Sequence, residues 1–398
     1  MRQLPQSFRS LCLIALCGVV ACSDMAGGDQ AGEVETREAA VRWEAGGFGE
    51  AGGAIFAGHP SGGALLADGR VAVADPGQAA ILLFEPNGEL AVTFGRRGYG
   101  PGEFQRLGHV GVLADTALWA TDSQSTWVTL FDIENPDSSW TISMPDRQVP
   151  GTNWSVTSGW LLSDGRVLGR AQPSATGRRL GETPSEPLVA MTPEGGVEVI
   201  ESMPNHSPRK RNVAMPNGFA MQTDQPLSAN PLFGAAPSGD WLYVLDRSPP
   251  SGPEGVMAFR RYTSSGDLLS EAEMPYEATP VGDEVLGFIR GFANAFEEQT
   301  PPQMGITTEA VLDSTWIPEW LPPAHDALVD ENGLWIHRQP WLDGWWQRFS
   351  LDGQLLFEVQ LPSAVTVLAG SDTSLLGWNA DSLDVPVIRL FEISEGSR

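Results

Sequence analysis

The chain has almost no cysteine and almost no lysine. Its 398 residues hold three cysteines, Cys12, Cys17 and Cys22, all within the first 22 positions. The body of the chain therefore forms no disulfide, no thiolate zinc site and no cysteine nucleophile. Its stability has to come from buried apolar area, and a chain of this length can bury enough. Lys210 is the only lysine. With 24 Lys and Arg against 50 Asp and Glu, the net charge is −26 at pH 7. Such a surface repels phosphate backbones, which excludes a nucleic-acid partner. It disfavours anionic lipid headgroups for the same reason. Long hydrophobic runs are missing too. The stretch Leu11–Ala21 covers 11 residues, whereas about 20 are needed to span a bilayer. There is no Gly-x-Ser-x-Gly elbow between a strand and a helix, and no Walker loop. The glycines at 46, 47 and 49 sit in a β context and are too weak a signal for nucleotide binding.

What is present begins at the N-terminus. Arg2 and Arg9 precede the Leu11–Ala21 stretch, the pattern of an export signal. Val19-Val20-Ala21-Cys22 resembles the lipobox of bacterial lipoprotein precursors. The resemblance implies that residues 1–21 are a signal cut before Cys22, and that Cys22 carries lipid. An ordinary secretory signal cut nearby is the other reading. Acyl chains contribute about 0.8 kcal/mol per buried CH₂, so several would hold the protein on its membrane partner. Without Arg2 and Arg9 the balance becomes 22 against 50, a net charge of −28. Ser23 follows the cysteine, where the same resemblance points to the outer membrane of the cell envelope, on its periplasmic or surface side. Residues 22–40 are small and polar and read as a flexible tether.

From residue 41 to 398 the pattern is all-β: short apolar stretches separated by Gly, Pro, Asn and Asp turns. One turn recurs four times: Phe84-Glu-Pro-Asn-Gly88, Met191-Thr-Pro-Glu-Gly195, Tyr262-Thr-Ser-Ser-Gly266 and Phe349-Ser-Leu-Asp-Gly353. Each reads as the turn between the two outer strands of one sheet. A second signal begins at Asp68, Asp115, Asp164, Gly239, Glu331 and Asp372, spaced by 47, 49, 75, 92 and 41 residues. We read these as leading into the innermost strands. Repeats of this length predict a six-bladed β-propeller of four-stranded antiparallel blades. The last blade is one strand short, and residues 41–56 are expected to supply it. The two long gaps each hold an insertion. Residues 203–232 read as a loop containing a solvated basic run, Arg209-Lys210-Arg211. Residues 277–322 contain one short helical segment, Gly282–Glu298, with Val285, Ile289, Phe292 and Phe296 at helical spacing and Asp283 and Glu284 in its first turn. That helix is either a lid over the ring or an element packed on its rim.

Between the first two blades runs Phe94-Gly-Arg-Arg-Gly98-Tyr-Gly-Pro-Gly102-Glu-Phe104. This resembles the inter-blade linker of NHL-repeat proteins and of bacterial six-bladed propeller lipoproteins, within the wider TolB-like propeller superfamily. The match covers residues 62–133 and returns more weakly at 324–361. The glycines are explained by topology alone, because the chain must turn sharply between blades. The resemblance implies either a binding scaffold or a metal-dependent hydrolase or lyase, lactonase-like or NHL-lyase-like, acting at the central channel.

Candidate residues follow from that choice. His109 and His325 each lie six positions before a repeat signal, at Asp115 and Glu331, and are expected at the channel mouth. His59 is close in sequence to the same mouth. Opposite placement of His109 and His325 argues against their sharing a zinc ion. Calcium favours oxygen ligands, but Asp75 and Asp122, which close equivalent strands, read rather as turn-capping residues. The cofactor reading is therefore none, with calcium or zinc as the open alternative. Trp316, Trp320, Trp335, Trp341, Trp345 and Trp346 crowd into 31 residues. They form either inter-blade core or a binding face, with Trp341, Trp345 and Trp346 as candidates. Trp345 and Trp346 must point to opposite sides of a strand. The expectation is an anchored envelope protein that binds a protein or glycan without catalysis, the metal-dependent enzyme being the alternative.

Overall fold

The computed structural model describes residues 34–47, 56–144, 148–149, 152, 154–173, 185–208, 210–216, 218, 220–338, 344–362 and 364–394. Cys22 and Trp341 lie outside them.

Six antiparallel blades form a β-propeller. Blade 1 comprises Gly62–Leu65, Val71–Asp75, Ala80–Phe84 and Leu90–Phe94. Blade 2 runs from Leu107 to Ser143, blade 3 from Trp154 to Pro204, blade 4 from Leu232 to Glu277 and blade 5 from Asp326 to Gln360. Blade 6 takes Thr366–Gly370, Ser374–Ala380 and Pro386–Ile393 from the C-terminal region. Its fourth strand is Ala39–Gly46, antiparallel to Pro386–Ile393. The ring thus closes with strands from both ends of the chain, as expected. Glu35–Arg37 adds a parallel edge strand to blade 5, so the chain joins the ring before residue 41. Closure removes an open edge that would otherwise pair with other chains.

Burial follows from the stacking of blades. All residues of Val71–Asp75 and Ala80–Phe84 are buried, while Leu90–Phe94 alternates. A middle strand is covered on both faces by neighbouring blades, so it reads as a continuous apolar run. An outer strand is covered on one face only, so it alternates.

The six indexed runs are the second strands of their blades, not the innermost. Gly62–Leu65, Leu107–Leu113, Trp154–Leu161, Leu232–Ala235, Asp326–Val329 and Thr366–Gly370 start each sheet and contact one another around the ring. The reason is that the Asp-Gly type turn joins first strand to second. The blade count is unaffected. The four recurring turns do link third and fourth strands, and their glycines have φ of 81 to 92°, a left-handed backbone that glycine adopts without strain.

Asp75 and Asp122 are turn caps that also clamp the incoming linker. Asp75 accepts from the amides of Ala57, Gly77 and Gln78 at 2.8, 2.8 and 3.2 Å. Asp122 accepts from those of Gln105, Arg106 and Gln124 at 2.6, 3.2 and 2.7 Å. Each bonds the chain arriving from the previous blade and its own turn together.

The first insertion is not a loop. It holds a hairpin, Lys210–Ala214 with Ala220–Asp224. Its Asn- and Met-rich composition hid the alternation. Nor is Arg211 solvated: it is 2% exposed. Its guanidinium lies 4.9 Å from the Phe292 ring centroid and donates to Thr223 and Thr315 at 2.6 and 3.0 Å. The second insertion forms α1 (Asp283–Gln299) and the short α2 (Thr308–Asp313). Helix α1 buries Val285, Ile289 and Ala293, and Ala293 packs in one cluster with Val213 of the hairpin and Val311 of α2. The two insertions therefore pack as one unit.

Candidate functional site: the channel mouth

Three imidazoles at this end of the ring lie against tryptophans. His59 enters blade 1 from the closing strand, and its ring centroid is 4.8 Å from that of Trp378 in blade 6. His109, on the innermost strand of blade 2, is 4.5 Å from Trp160 of blade 3. Trp160 in turn meets Phe233 of blade 4 edge-on at 5.5 Å. His337, which ends the second strand of blade 5, stacks on Trp346 at 4.6 Å and 13°. Aromatic pairs at such distances add about 0.5–1.5 kcal/mol beyond burial. Trp160 of blade 3, Phe233 of blade 4 and Trp378 of blade 6 are each partly exposed, so rings on three blades keep contact with solvent.

Blade 5 carries the most polar part of the mouth. The sheet register pairs Asp326 with His337, His337 with Trp346 and Trp346 with Val359. Directly opposed residues share a face, so these four side chains form one row running outward toward blade 6. A cleft of 140 Å³ opens over the row, closed on its far side by Leu361, Val365, Thr366 and Val367. His325 sits at its edge. Its amide donates to the His337 carbonyl at 2.7 Å, and the two rings are 6.2 Å apart and nearly perpendicular. Arg247 of blade 4 ties this corner together. It donates to the Asn230 carbonyl at 2.7 Å and to the carbonyls of Ala324 and His325. Tyr243 of the same blade donates to the Ala327 carbonyl at 2.9 Å.

Burial sets the charges. The His337 ring is 6% exposed as a residue, and desolvation lowers its pKa to about 4. His109 is lowered by burial alone. His325 shifts downward through burial first, then Arg247 and His337, although solvent still reaches its side chain and softens the effect. Burial raises the Asp326 carboxyl against the opposing pull of the Ala327 amide and Arg247. At neutral pH His109 and His337 therefore present uncharged imidazoles.

The expected candidates are distributed unevenly. His325 reaches the cleft, while His59 and His109 contact different partners elsewhere on the mouth. The equal spacing of His109 and His325 is misleading. The turn between the first two strands is one residue longer in blade 2, where Val112 pairs with Leu118, than in blade 5, where Val329 pairs with Leu334, and this offsets His109 by one position; its amide bonds Thr121 Oγ1 at 3.1 Å. By ladder position, the counterpart of His109 is Asp326. Among the described residues, no three His, Cys, Asp or Glu come together as metal ligands. Trp346 is 1% exposed and belongs to the core between blades 5 and 6. Trp345 points the other way and is partly exposed. Sequence reasoning passed over Asp326, His337, Trp160, Phe233 and Trp378. The repeat signal beginning at Glu331 leads into the strand Gly333–His337, so continuing the count along that strand would have put His337 at the mouth.

No family profile matches the chain and no curated protein matches it. Among solved structures it is similar to a luciferin-regenerating enzyme at 12% identity, covering 87% of this chain and 94% of that chain, with a TM-score of 0.43. A streptogramin B lyase matches at 13% identity, covering 86% and 95%, with a TM-score of 0.39. BamB from Moraxella catarrhalis matches at 10% identity, covering 84% and 86%, with a TM-score of 0.31. At such identities and scores these likenesses carry no information about what this chain binds or does. The chain is a six-bladed β-propeller on the strength of its own sheets.

Proposed function

We propose that this is a lipid-anchored protein of the bacterial cell envelope whose propeller binds a glycan or protein at the channel mouth without catalysis. The observation that carries the reading is the belt of flat rings: His109, Trp160 and Phe233 in sequence, with Trp378 and His59 beside blade 1. Partly exposed aromatic faces suit stacking on the apolar face of a sugar or on a partner's side chain. Anchoring is supported by the lipobox-like Val19–Cys22, and no helix among the described residues is long and apolar enough to cross a membrane. Cys22→Ser is expected to move the protein from the membrane fraction to the soluble fraction. If the variant stays with membranes, the anchor is wrongly assigned.

The rival, a metal-dependent hydrolase or lyase, draws on the His325–His337 pair with Asp326 alongside. It requires a stoichiometric ion. We expect elemental analysis of the purified protein to find neither zinc nor calcium at one per chain; either at that ratio would favour the rival.

A further inference from the structure

The geometry points to a small, uncharged, hydroxyl-bearing ligand, the size of one sugar ring, seated in the cleft between blades 5 and 6. This rests on the binding reading above and narrows its ligand class. The cleft volume is 140 Å³, close to the roughly 150 Å³ of a cavity that accepts benzene. Its wall is aliphatic at Leu361, Pro362, Val365 and Val367, which suits the apolar face of a ring. Its polar end is His337. The Nε2 of that ring is buried and has no hydrogen-bond partner among the described residues, while one ring face is held by Trp346. An unpaired buried polar atom costs about 1–3 kcal/mol, and a ligand that bonds it recovers that cost. A hydroxyl both donates and accepts, so it pairs with Nε2 in either tautomer.

Charge sorts the alternatives. An anionic ligand would meet the overall charge of −26. The His337 imidazole is neutral and offers no compensating attraction. For a cationic ligand the attraction of the net charge is opposed by Arg247, whose guanidinium reaches the carbonyls of Ala324 and His325 at the cleft edge. An uncharged hydroxyl pays neither penalty.

The test uses the full-length protein in detergent, labelled with ¹⁵N at histidine. It is titrated with glucose, galactose and N-acetylglucosamine as neutral probes, glucuronic acid as the anionic probe and glucosamine as the cationic one. A neutral sugar is expected to bind in the millimolar range, roughly 1–10 mM, and to shift the His337 Nε2 resonance. The charged sugars should bind about tenfold more weakly or worse. His337→Phe keeps a ring over Trp346 and removes Nε2. It should weaken binding by about tenfold, the loss of one buried hydrogen bond. Should that variant fail to fold, the resonance shift in the unaltered protein decides alone. Binding that survives His337→Phe, leaves the resonance unmoved and is lost in Trp160→Ala would overturn the cleft and leave the mouth reading intact. Preference for a charged sugar would overturn the ligand class. If none of the sugars binds, the cleft proposal and a glycan ligand at the mouth both fall.

Discussion

Trp43→Ala should lower the stability of the protein by about 3–5 kcal/mol, the usual cost of removing a buried aromatic. Trp43 sits on the strand that closes the ring. It is 8% exposed and packs in one cluster with Phe56, Val73, Phe84, Leu376 and Leu390. Its ring centroid is 5.8 Å from that of Phe84 in blade 1. The bare Cα face of Gly88 lies beneath it, since a Cβ there would come within 2.9 Å of the indole. Trp43 therefore joins the outermost strand of blade 6 to blade 1, where the ring would otherwise be open. Equilibrium urea unfolding measures the effect as a shift in midpoint at unchanged slope. Val41 on the same strand is 48% exposed, and Val41→Ala should change stability by less than about 0.5 kcal/mol. Equal small losses for both variants would mean that the closing strand contributes little.

Arg348→Ala is expected to be as costly, about 3–5 kcal/mol, because it leaves a buried carboxylate without its partner. The Arg348 side chain is fully buried on the third strand of blade 5. It donates to Asp330 at 2.7 Å and also to Asp372. Those two acids lie in matching turns of blades 5 and 6, so one guanidinium ties the blades together. Its charge lies 5.4 Å from the Trp335 ring centroid. Burial already holds Asp330 above the ordinary carboxylate range, with Arg348 pulling it down. Removing Arg348 raises it further. A carboxyl raised in the folded state binds more protons there than when unfolded, so the variant's stability falls as pH rises through and above the carboxylate range. The deficit should shrink as the pH falls and Asp330 becomes neutral in the variant. The double variant Arg348→Met with Asp330→Asn should recover part of the loss, since no buried charge remains. A deficit that does not vary with pH would assign the cost to lost packing of the arginine stem.

The propeller was legible because its signals are local. The four turns with a glycine four residues after an aromatic or Met marked the third-to-fourth strand turn in blades 1, 3, 4 and 5. Strand order within a blade was less legible, since a turn signal does not say which side of it faces the axis. Helix α1 was visible from its 3.6-residue spacing and acidic first turn. The hairpin at 210–224 was not, because its buried side chains include an arginine that only tertiary contacts satisfy. The mouth was half legible. His59, His109 and His325 were placed near it by position in the chain, but a one-residue difference in turn length decided which of them align. The row Asp326, His337 and Trp346 depends on cross-strand register, which spacing along one strand does not reveal. Of Trp345 and Trp346, which had to face opposite sides, Trp346 is the one in the core.

The central claim is that the mouth binds through its rings and without a metal. Calorimetric titration of the full-length protein with neutral oligosaccharides, with and without chelator and beside Trp160→Ala, tests it most directly. The account predicts saturable binding that chelation leaves unchanged and that Trp160→Ala weakens by about tenfold or more, the loss of one aromatic contact and its buried area. Binding that disappears with chelator, or sugar that is cleaved during the titration, would contradict it.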